Sequence, residues 1–429
     1  MTRKKEEKIL IVGAGCFGIS TAYHLLTRGF SDVTVLDRSN VLPAPDAASC
    51  DINKIVRSAY HDVFYARLAR DAISLWKNNS EWGNAYHESG VVVLGADTVY
   101  AKTALLNEIN LGARVKTLDD IDMVKDAFPS GVHIGHIFDQ ERCYFNKDGG
   151  WAAASEGIAY AMSKVKDLGG KVIPGIQIKG LTKVDGVTTG VHCEDGKTIA
   201  ADLVIIATGA WTASTFPELS LGRRCLAAGQ SVVTIQLDED EAERYRACPV
   251  VLDFTTGFYI FPPTRESVVK MARHIGGYVN LIHNEDAKEA ISTPRTVHSH
   301  GAGGLLVPKA DVKVLRECLQ NIYPALAKKP FSSTRMCWYT DSPDSDWIID
   351  VHPTDPSLVI ATSGSGHGYK FLPVLGKLVV DRIENTMELE LQKKFAINRP
   401  LGHIDLSREG RQVQTLNVDG LCTAEDLLP

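Results

Sequence analysis

At 429 residues, with 44% hydrophobic and 23% charged residues, the chain is long enough for two domains and has the composition of an ordinary globular protein. A formal net charge of −6 argues against a nucleic-acid binder, and no apolar run approaches the roughly 20 residues that a membrane helix needs. Nine cysteines without a Cys-x-x-Cys pair predict reduced thiols in the cytoplasm, and neither a signal peptide nor a peroxisomal C-terminal tripeptide is expected.

The chain opens with a predicted βαβ unit. An apolar run over residues 8–12 predicts a buried parallel strand, a helical pattern covers residues 19–28, and a second strand covers residues 33–36. A glycine motif, Gly13 to Gly18, lies between the first strand and the helix. Such a motif alone is weak evidence. Placed between a strand and a helix, and followed by a strand with an acidic end, it predicts a dinucleotide-binding domain.

Each glycine of the motif meets a separate physical requirement. Gly13 permits the tight turn, Gly15 lets the backbone approach a pyrophosphate, and Gly18 lets helix and strand pack closely. The free N–H groups at the helix start favour phosphate, and Asp37 is placed to accept hydrogen bonds from ribose hydroxyls. The motif does not separate FAD from NAD, although its position at the N-terminus favours FAD. The candidate cofactor contacts here are Gly13, Gly15, Cys16, Phe17, Gly18, Asp37 and Arg38.

A second segment, residues 201–211, supports a flavin domain. It consists of a buried apolar strand followed by a glycine turn, with Gly209 and Trp211 as candidate cofactor contacts. In many flavoproteins such a strand returns late in the chain to complete the FAD domain. The alternative is an ordinary core strand, but the glycine motif upstream favours the flavin interpretation.

The rest of the chain alternates helical and strand-like patterns. The other predicted elements, in chain order, are a helix over 62–78, a strand over 90–94, a broken helical region over 101–130, an Ala-rich helix ending near 169, strands from 171, over 230–235 and over 257–261, a helix over 312–323, a strand over 357–362 and a helix over 373–384. We therefore expect a mixed α/β (α+β) protein, with a Rossmann-like FAD-binding domain interleaved with a substrate domain on a mixed or antiparallel sheet. The expected bounds are 1–90, 149–212 and 345–390 for the FAD-binding domain, 91–148 and 213–344 for the substrate domain, and 391–429 for a C-terminal tail.

Two motifs near the C-terminus are the most specific of the chain. They are Cys337-Trp-Tyr-Thr-Asp-Ser-Pro-Asp344 and Gly364-Ser-Gly-His-Gly-Tyr-Lys370. Together with the N-terminal motif they resemble FAD-dependent amine oxidases of the sarcosine oxidase, pipecolate and saccharopine oxidase and fungal amadoriase family. These enzymes belong to the D-amino-acid-oxidase-like flavoproteins. The resemblance covers nearly the whole chain, from Gly13 to about Arg399.

The resemblance implies that Cys337 forms a thioether bond to FAD; the alternative is a buried, inert cysteine. In the glycine loop, backbone lies close to the flavin ring, and the following helix directs its N-terminal dipole at the negative charge of reduced flavin. The candidate cofactor contacts in these motifs are Cys337, Asp341, Gly364, Gly366, His367, Gly368 and Lys370.

The segment from Asp51 to Tyr60 is similar to the family segment that crosses the flavin face. The resemblance places Lys54 beside the ring, as a catalytic and cofactor-binding residue, and assigns Arg57 and Lys370 to the substrate carboxylate. An Arg fork and a Lys point charge suit a carboxylate. The alternative is a pair of solvated surface cations.

The same resemblance assigns three further catalytic residues. Lys270 corresponds to the lysine that activates O2, since a buried cation stabilises the developing superoxide anion. His274, on the same predicted strand face as Lys270, and Tyr259 are expected to line the amine site. A lone lysine in a strand is otherwise usually exposed to solvent.

The sequence therefore predicts a monomeric flavoprotein oxidase that converts a secondary-amine amino acid and O2 into an imine and hydrogen peroxide. Candidate substrates are an N-methyl amino acid, pipecolate or saccharopine. Amadoriases resemble the chain at residues 51–54 but typically lack cations at Arg57 and Lys370. Three alternatives remain open: a fructosyl amino acid oxidase, a biosynthetic oxidase that cyclises the imine, and a non-catalytic dinucleotide sensor. No His, Cys and Asp cluster has metal-ligand spacing, so no metal is expected.

Overall fold

A six-stranded, mostly parallel sheet forms the centre of one half of the protein. The computed structural model describes residues 3–139, 142–282, 290–400, 406–408 and 412–429. The strands of this sheet, from one edge to the other, are Ile348–His352, Asp355–Thr362, Leu203–Ile206, Lys8–Val12, Asp32–Leu36 and Lys171–Ile173. Every neighbouring pair is parallel except the first. The two central strands are apolar runs because both faces of the sheet are covered.

Some of the helices cover this sheet, among them Cys16–Thr27, Ala154–Asp167 and Leu372–Ile383. The α-helices of the described residues are Cys16–Thr27, Val63–Trp76, Asn79–Trp82, Val99–Asn110, Ile121–Lys125, Ala154–Asp167, Thr212–Thr215, Glu239–Arg246, Val297–His300, Lys309–Ile322, Leu372–Ile383 and Leu389–Phe395. The first of these packs closely on Leu372–Ile383, where a Cβ atom on Gly376 would overlap the carbonyl oxygen of Ser20. None of the helices in the described ranges is long and apolar enough to cross a membrane.

A second, ten-stranded mixed sheet forms the other half. Its strands, in spatial order, are Gln414–Thr415, Tyr278–Val279, Leu226–Gln236, Val268–Arg273, Phe258–Ile260, Val250–Asp253, Val91–Leu94, Cys143–Asn146 and Val115–Leu118, with Ser333–Asp341 paired to Leu226–Gln236 off this path. Most pairs are antiparallel; Val250–Asp253 runs parallel to Val91–Leu94, and Tyr278–Val279 to Gln414–Thr415. Three small sheets complete the strands: Asn53–Val56 with Gly150–Ala153 and Tyr86–His87, Ile178–Val184 with Val187–Cys193 and Thr198–Ala200, and Leu281–Ile282 with Ile291–Ser292.

The Ser333–Asp341 strand connects the two halves. It pairs with Leu226–Gln236 over nine residue positions, from Thr234 opposite Ser333 to Leu226 opposite Asp341. The chain then enters the Ile348–His352 edge of the parallel sheet. The strand that contains Cys337 therefore leads from the large sheet to the parallel sheet.

The predicted fold class is confirmed, with local corrections. The first helix begins at Cys16 rather than at residue 19, directly after the glycine turn. The region over 101–130, expected to be helical, contains the strand Val115–Leu118, which pairs with Cys143–Asn146. Its sequence, Val-Lys-Thr-Leu, is too short for a periodic signal, and long-range pairing decides its structure. The proposed domain bounds stay a prediction.

The close helix crossing at Gly376 gives a stability test. We expect Gly376→Ala to lower the free energy of unfolding by about 1–3 kcal/mol, because the new methyl group must displace the backbone of the Cys16–Thr27 helix. Urea unfolding followed by circular dichroism measures the loss. Gly222→Ala is the control, since a Cβ atom there meets open space. Equal stability of the two variants would contradict the close approach.

Candidate active site

The glycine turn after the first strand is fixed by contacts that leave no room for side chains. Gly13 has a φ of +107°, and a Cβ atom on it would overlap the carbonyl oxygen of Ala207. A Cβ atom on Gly18 would likewise overlap the carbonyl oxygen of Gly13. Asp37 accepts hydrogen bonds from the N–H groups of Ala14 and Ser39, each at 2.9 Å. The acidic strand end and the glycine turn thus hold each other in place.

A cavity of about 590 Å³ opens above this turn. Arg38 lies in its wall with the guanidinium 4.1 Å from the centre of the Trp211 ring, which forms a flat stacked surface. The predicted cofactor contacts that line this cavity are Gly13, Gly15, Cys16, Phe17, Asp37, Arg38, Lys54, Gly209, Trp211, Gly364, Gly366 and Gly368. Residues from three distant parts of the chain therefore meet around one elongated space.

A smaller chamber of about 80 Å³ adjoins this cavity. Lys54, Tyr339, Gly366 and Tyr369 line both spaces, so the two are contiguous. Six of the predicted site residues line the chamber: Lys54, Arg57, Tyr259, His274, His367 and Lys370. A group bound at the inner end of the cavity would therefore face whatever occupies the chamber.

Arg57 and Lys370 are the two buried cations of the chamber. The Arg57 guanidinium lies 4.8 Å from the centre of the Tyr60 ring and 5.3 Å from that of Phe254, and its Nη1 atom has no hydrogen-bond partner in the described part of the chain. Lys370 Nζ donates hydrogen bonds to Tyr60 Oη at 2.7 Å and to the His367 carbonyl oxygen at 3.0 Å. No carboxylate of the described residues pairs with either cation. Burial, and then the charge of Arg57, hold the pKa of Lys370 well below its usual value.

Lys270 lies outside the chamber wall, in an array of charges next to Cys337. Its side chain is fully buried, and Nζ donates hydrogen bonds to Asp51 Oδ2 at 2.6 Å and to the Asn53 carbonyl oxygen at 2.7 Å. Lys54 Nζ donates to the same Asp51 oxygen at 2.7 Å and lies 3.6 Å from Cys337 Sγ. Lys270 and His274, expected on one strand face, are therefore separated, since His274 follows the end of the strand and lines the chamber.

Three other predicted residues occupy positions that the sequence did not specify. Asp341 is not in the cavity wall; its carboxylate forms a buried ion pair with Arg408, at 2.6 Å from Nη1. Gly18 lies beneath the cavity, against the glycine turn. His367 is held rather than solvated, because Nε2 lies 2.9 Å from the Ser345 carbonyl oxygen and the ring stacks on Trp347.

Sequence reasoning missed several residues around the chamber. Asp51 lies inside a recognised motif, but nothing local marks its carboxylate as a shared lysine partner. Tyr60, in the same motif, receives the hydrogen bond from Lys370. Glu108 is buried behind Arg57 on the Val99–Asn110 helix, where it carries no motif and no periodic signal distinguishes it from a surface glutamate.

Glu108 is a buried carboxyl with incomplete hydrogen bonding. Oε1 accepts from Ser58 Oγ at 2.8 Å and from Asn146 Nδ2, while Oε2 has no hydrogen-bond partner among the residues described. Burial raises the pKa of Glu108 to about 7, although these hydrogen bonds and the charge of Arg57 act in the opposite direction. No group of His, Cys, Asp and Glu side chains in the described ranges could hold a metal ion.

The chain is similar to a family of known flavoproteins over most of its length. The sequence model of the FAD dependent oxidoreductases matches residues 8–382. L-saccharopine oxidase of Schizosaccharomyces pombe is 28% identical, over 87% of this chain and 89% of that protein. Peroxisomal sarcosine oxidase of Homo sapiens is 25% identical, over 87% of this chain and 90% of that protein. The crystal structure of the deglycating fructosamine oxidase Amadoriase II of Aspergillus fumigatus superposes with a TM-score of 0.84 at 27% identity, covering 98% of each chain.

The buried Glu108 makes stability depend on pH. Its folded-state pKa of about 7 lies above the ordinary 4.5, so its contribution to stability is complete below pH 4.5 and is lost as the pH rises through 7. A shift of that size corresponds to about 3 kcal/mol. We expect Glu108→Gln to lose less stability than the wild type between about pH 5 and pH 8. Urea unfolding at several pH values measures this difference.

The control for this experiment is Glu156→Gln, at an exposed position on the Ala154–Asp167 helix. It should follow the wild-type pH dependence throughout. If Glu108→Gln also followed the wild-type curve, the carboxyl at position 108 would not titrate in this range.

Proposed function

The chain belongs to the family of FAD dependent oxidoreductases, and on that premise we propose that it oxidises the C–N bond of an amino acid with a secondary amine to an imine, reducing O2 to hydrogen peroxide. The family predicted from the sequence is confirmed. Relatives named as oxidases of saccharopine, sarcosine and N-methyl-L-tryptophan support this substrate class. The proposed donor is an N-methyl amino acid, pipecolate or saccharopine.

The observation that carries the proposal is the pair of buried basic side chains in the chamber, Arg57 and Lys370, neither of which forms an ion pair with a described residue. Removing a charge from water is costly unless an opposite charge or hydrogen bonds replace the lost hydration. Arg57 offers a guanidinium whose Nη1 has no hydrogen-bond partner among the described residues, and Lys370 offers an amine that a bound anion would help to keep protonated. Glu108 attracts Arg57, but no carboxylate of the described residues forms an ion pair with either side chain. A substrate carboxylate would satisfy both, with the Arg fork setting its orientation.

The residues around the large cavity fit FAD. The glycine turn and the start of the Cys16–Thr27 helix would hold the pyrophosphate, and Asp37 the ribose. The Gly364–Gly368 backbone and Lys54 would lie at the ring end, where the cavity meets the chamber. When bound, FAD supplies the acceptor for a hydride equivalent.

The chain's own residues then do the positioning. Arg57 and Lys370 hold the carboxylate, which fixes the distance of the adjacent C–N bond from the junction of cavity and chamber. The rings of Phe254, Tyr259 and Tyr339 line the chamber and exclude water around the neutral amine. Lys270 keeps a positive charge behind the wall, where it would stabilise negative charge that develops on O2.

A fructosyl amino acid oxidase is the second candidate function. The superposition on Amadoriase II over 98% of the chain favours it. The segment that contains Asn53 and Lys54, which resembles amadoriases, also favours it. Oxygen uptake with sarcosine, L-pipecolate, L-saccharopine and a fructosyl amino acid compares the two candidates directly. Turnover of the fructosyl compound alone would replace the main proposal with the second.

The carboxylate site is tested with Arg57→Met. We expect the KM for the amino acid to rise about 30-fold or more, which corresponds to a loss of at least 2 kcal/mol for an unpaired buried charge partner. FAD content should stay at the wild-type level, because Arg57 does not line the large cavity. Steady-state oxygen uptake at varied substrate concentration measures KM. The control is Arg114→Met, a variant of an exposed ion-paired arginine; an unchanged KM in Arg57→Met would remove the carboxylate assignment.

We also propose that Cys337 carries the flavin in a thioether bond. Side chains alternate along a strand, so Cys337 projects to the same face as Tyr339, which lines both the cavity and the chamber. Its sulfur lies 3.6 Å from Lys54 Nζ, at the ring end of the cavity. Cys337 itself is buried and lines neither space, so the support for attachment is its closeness to Lys54, which lines both.

Acid precipitation of the purified protein tests the attachment. We expect the yellow colour to stay with the wild-type pellet and to move to the supernatant for Cys337→Ala, because the variant has lost the proposed bonding atom. Absorbance spectra of pellet and supernatant measure the division. Cys248→Ala, a buried cysteine of the large-sheet core, is the control and should behave as the wild type. Free flavin in the wild-type supernatant would disprove the thioether.

A further inference from the structure

Asp51 lies at the centre of an array of positive charge, and the proposed function gives this carboxylate no role. Its carboxylate is almost fully buried, and Oδ2 accepts hydrogen bonds from both Lys270 at 2.6 Å and Lys54 at 2.7 Å. The other oxygen, Oδ1, accepts from the Ile52 N–H at 2.8 Å and lies 3.9 Å from Arg335 Nη1. Three cations, Lys270, Lys54 and Arg335, therefore surround one carboxylate.

The two lysines that share this carboxylate come from opposite sides of the site. Lys54 lies on the short Asn53–Val56 strand and lines both the cavity and the chamber. Lys270 lies 216 positions later, on the Val268–Arg273 strand of the large sheet, with no exposed surface. Hydrogen bonds to one oxygen atom hold their Nζ atoms close together. Without that oxygen, two like charges would face each other in a region removed from water.

The electrostatics distinguish the two lysines. The pKa of Asp51 is depressed by Lys270, Lys54 and Arg335 despite its burial, so it stays ionised. The pKa of Lys54 is raised, because Asp51 outweighs its burial. Burial lowers the pKa of Lys270 to about 8, with Lys54 acting in the same direction and Asp51 opposing both. Lys270 is therefore the member whose charge depends most on its neighbours.

The groups facing Lys270 come from three strands and the residues next to them. The side chains of Asp51 and Lys54 face it from the segment before and within the Asn53–Val56 strand, and Cys337 from the Ser333–Asp341 strand. The ring of Phe261 lies 5.1 Å from Nζ, just beyond the Phe258–Ile260 strand. Arg335 reaches Asp51 from the far side. Asp51 is thus the carboxylate that compensates this group.

We propose that Asp51 is a positioning residue. It accepts hydrogen bonds from Lys54 and Lys270 at one oxygen atom and thereby keeps Lys270 charged beside the flavin end of the cavity. This inference rests on the proposed function, in which a cation behind the ring stabilises negative charge on O2. Asp51 itself lines neither space and does not touch the substrate. Its effect is transmitted through the two amines.

The experiment measures the charge of Lys270 without turnover. Sulfite, an anion, adds to oxidised flavin and bleaches its visible absorbance. Its own protonation equilibrium is common to all variants, so differences between variants in the pH dependence of its Kd report the positive charge at the ring. We expect the wild-type Kd to weaken as pH rises through the Lys270 pKa, near 8. In Asp51→Asn this midpoint should move about one to three pH units lower, since loss of the opposite charge destabilises the ammonium form.

A second variant tests the same array with the opposite sign. Lys54→Met removes the like charge that competes for the Asp51 oxygen, so the midpoint should move to higher pH. It decides the question alone if Asp51→Asn does not fold. Asp51→Glu, which keeps the charge, should restore a midpoint near that of the wild type, and a merely structural role would not produce these opposite shifts.

Asp350→Asn is the matched control, because Asp350 is also a buried carboxylate paired with an arginine and a backbone N–H, yet it lines neither space. Its midpoint should equal that of the wild type. Flavin-loaded Asp51→Asn and Lys54→Met with unmoved midpoints, or with shifts in the same direction, would overturn the role of Asp51 alone. A wild-type protein that binds no FAD would overturn the proposed function together with this inference.

Discussion

Positive charge held away from water is the constraint on which the site depends. Arg57 is 8% exposed, Lys370 is 5% exposed and Lys270 is not exposed at all. Of these three, only Lys270 has a carboxylate partner among the described residues, and it shares that partner with Lys54. Burying such charges costs stability unless anions complete them. On the proposed function, the substrate carboxylate would supply such an anion in the chamber.

The architecture distributes this charge over elements that are remote in the chain. Arg57 follows the Asn53–Val56 strand, Lys270 belongs to the large sheet, and Lys370 follows the loop after the Asp355–Thr362 strand of the parallel sheet. The Ser333–Asp341 strand passes between them, and its end is tied to the segment 406–408 through the buried Asp341 and Arg408 pair. Neither sheet alone would form the chamber. A change that weakens the packing between the two halves would therefore also disturb the site.

The residues that were predictable are those whose chemistry is local. The glycine turn, the acidic end at Asp37 and the start of a helix lie within one βαβ unit, where spacing alone specifies geometry. The partner of Lys270 is not local: Asp51 lies 219 residues away, and only the packing of two sheets brings them together. The buried pairing of Asp341 with Arg408 could not be predicted for the same reason, since Arg408 lies in a segment without a motif. The strand Val115–Leu118 was not predicted, because its pairing with Cys143–Asn146 and not its local propensity forms it.

The size of the chamber limits what the protein can recognise there. A volume of about 80 Å³ holds about five to eight water-sized groups. That matches a carboxylate, a central carbon and the substituents of one amine, with the two cations at one end and the dinucleotide cavity at the other. Any larger portion of a substrate must lie outside this volume. On the proposed function, the chamber would hold the amino acid end and the oxidised bond, and the rest of a larger donor would lie outside it.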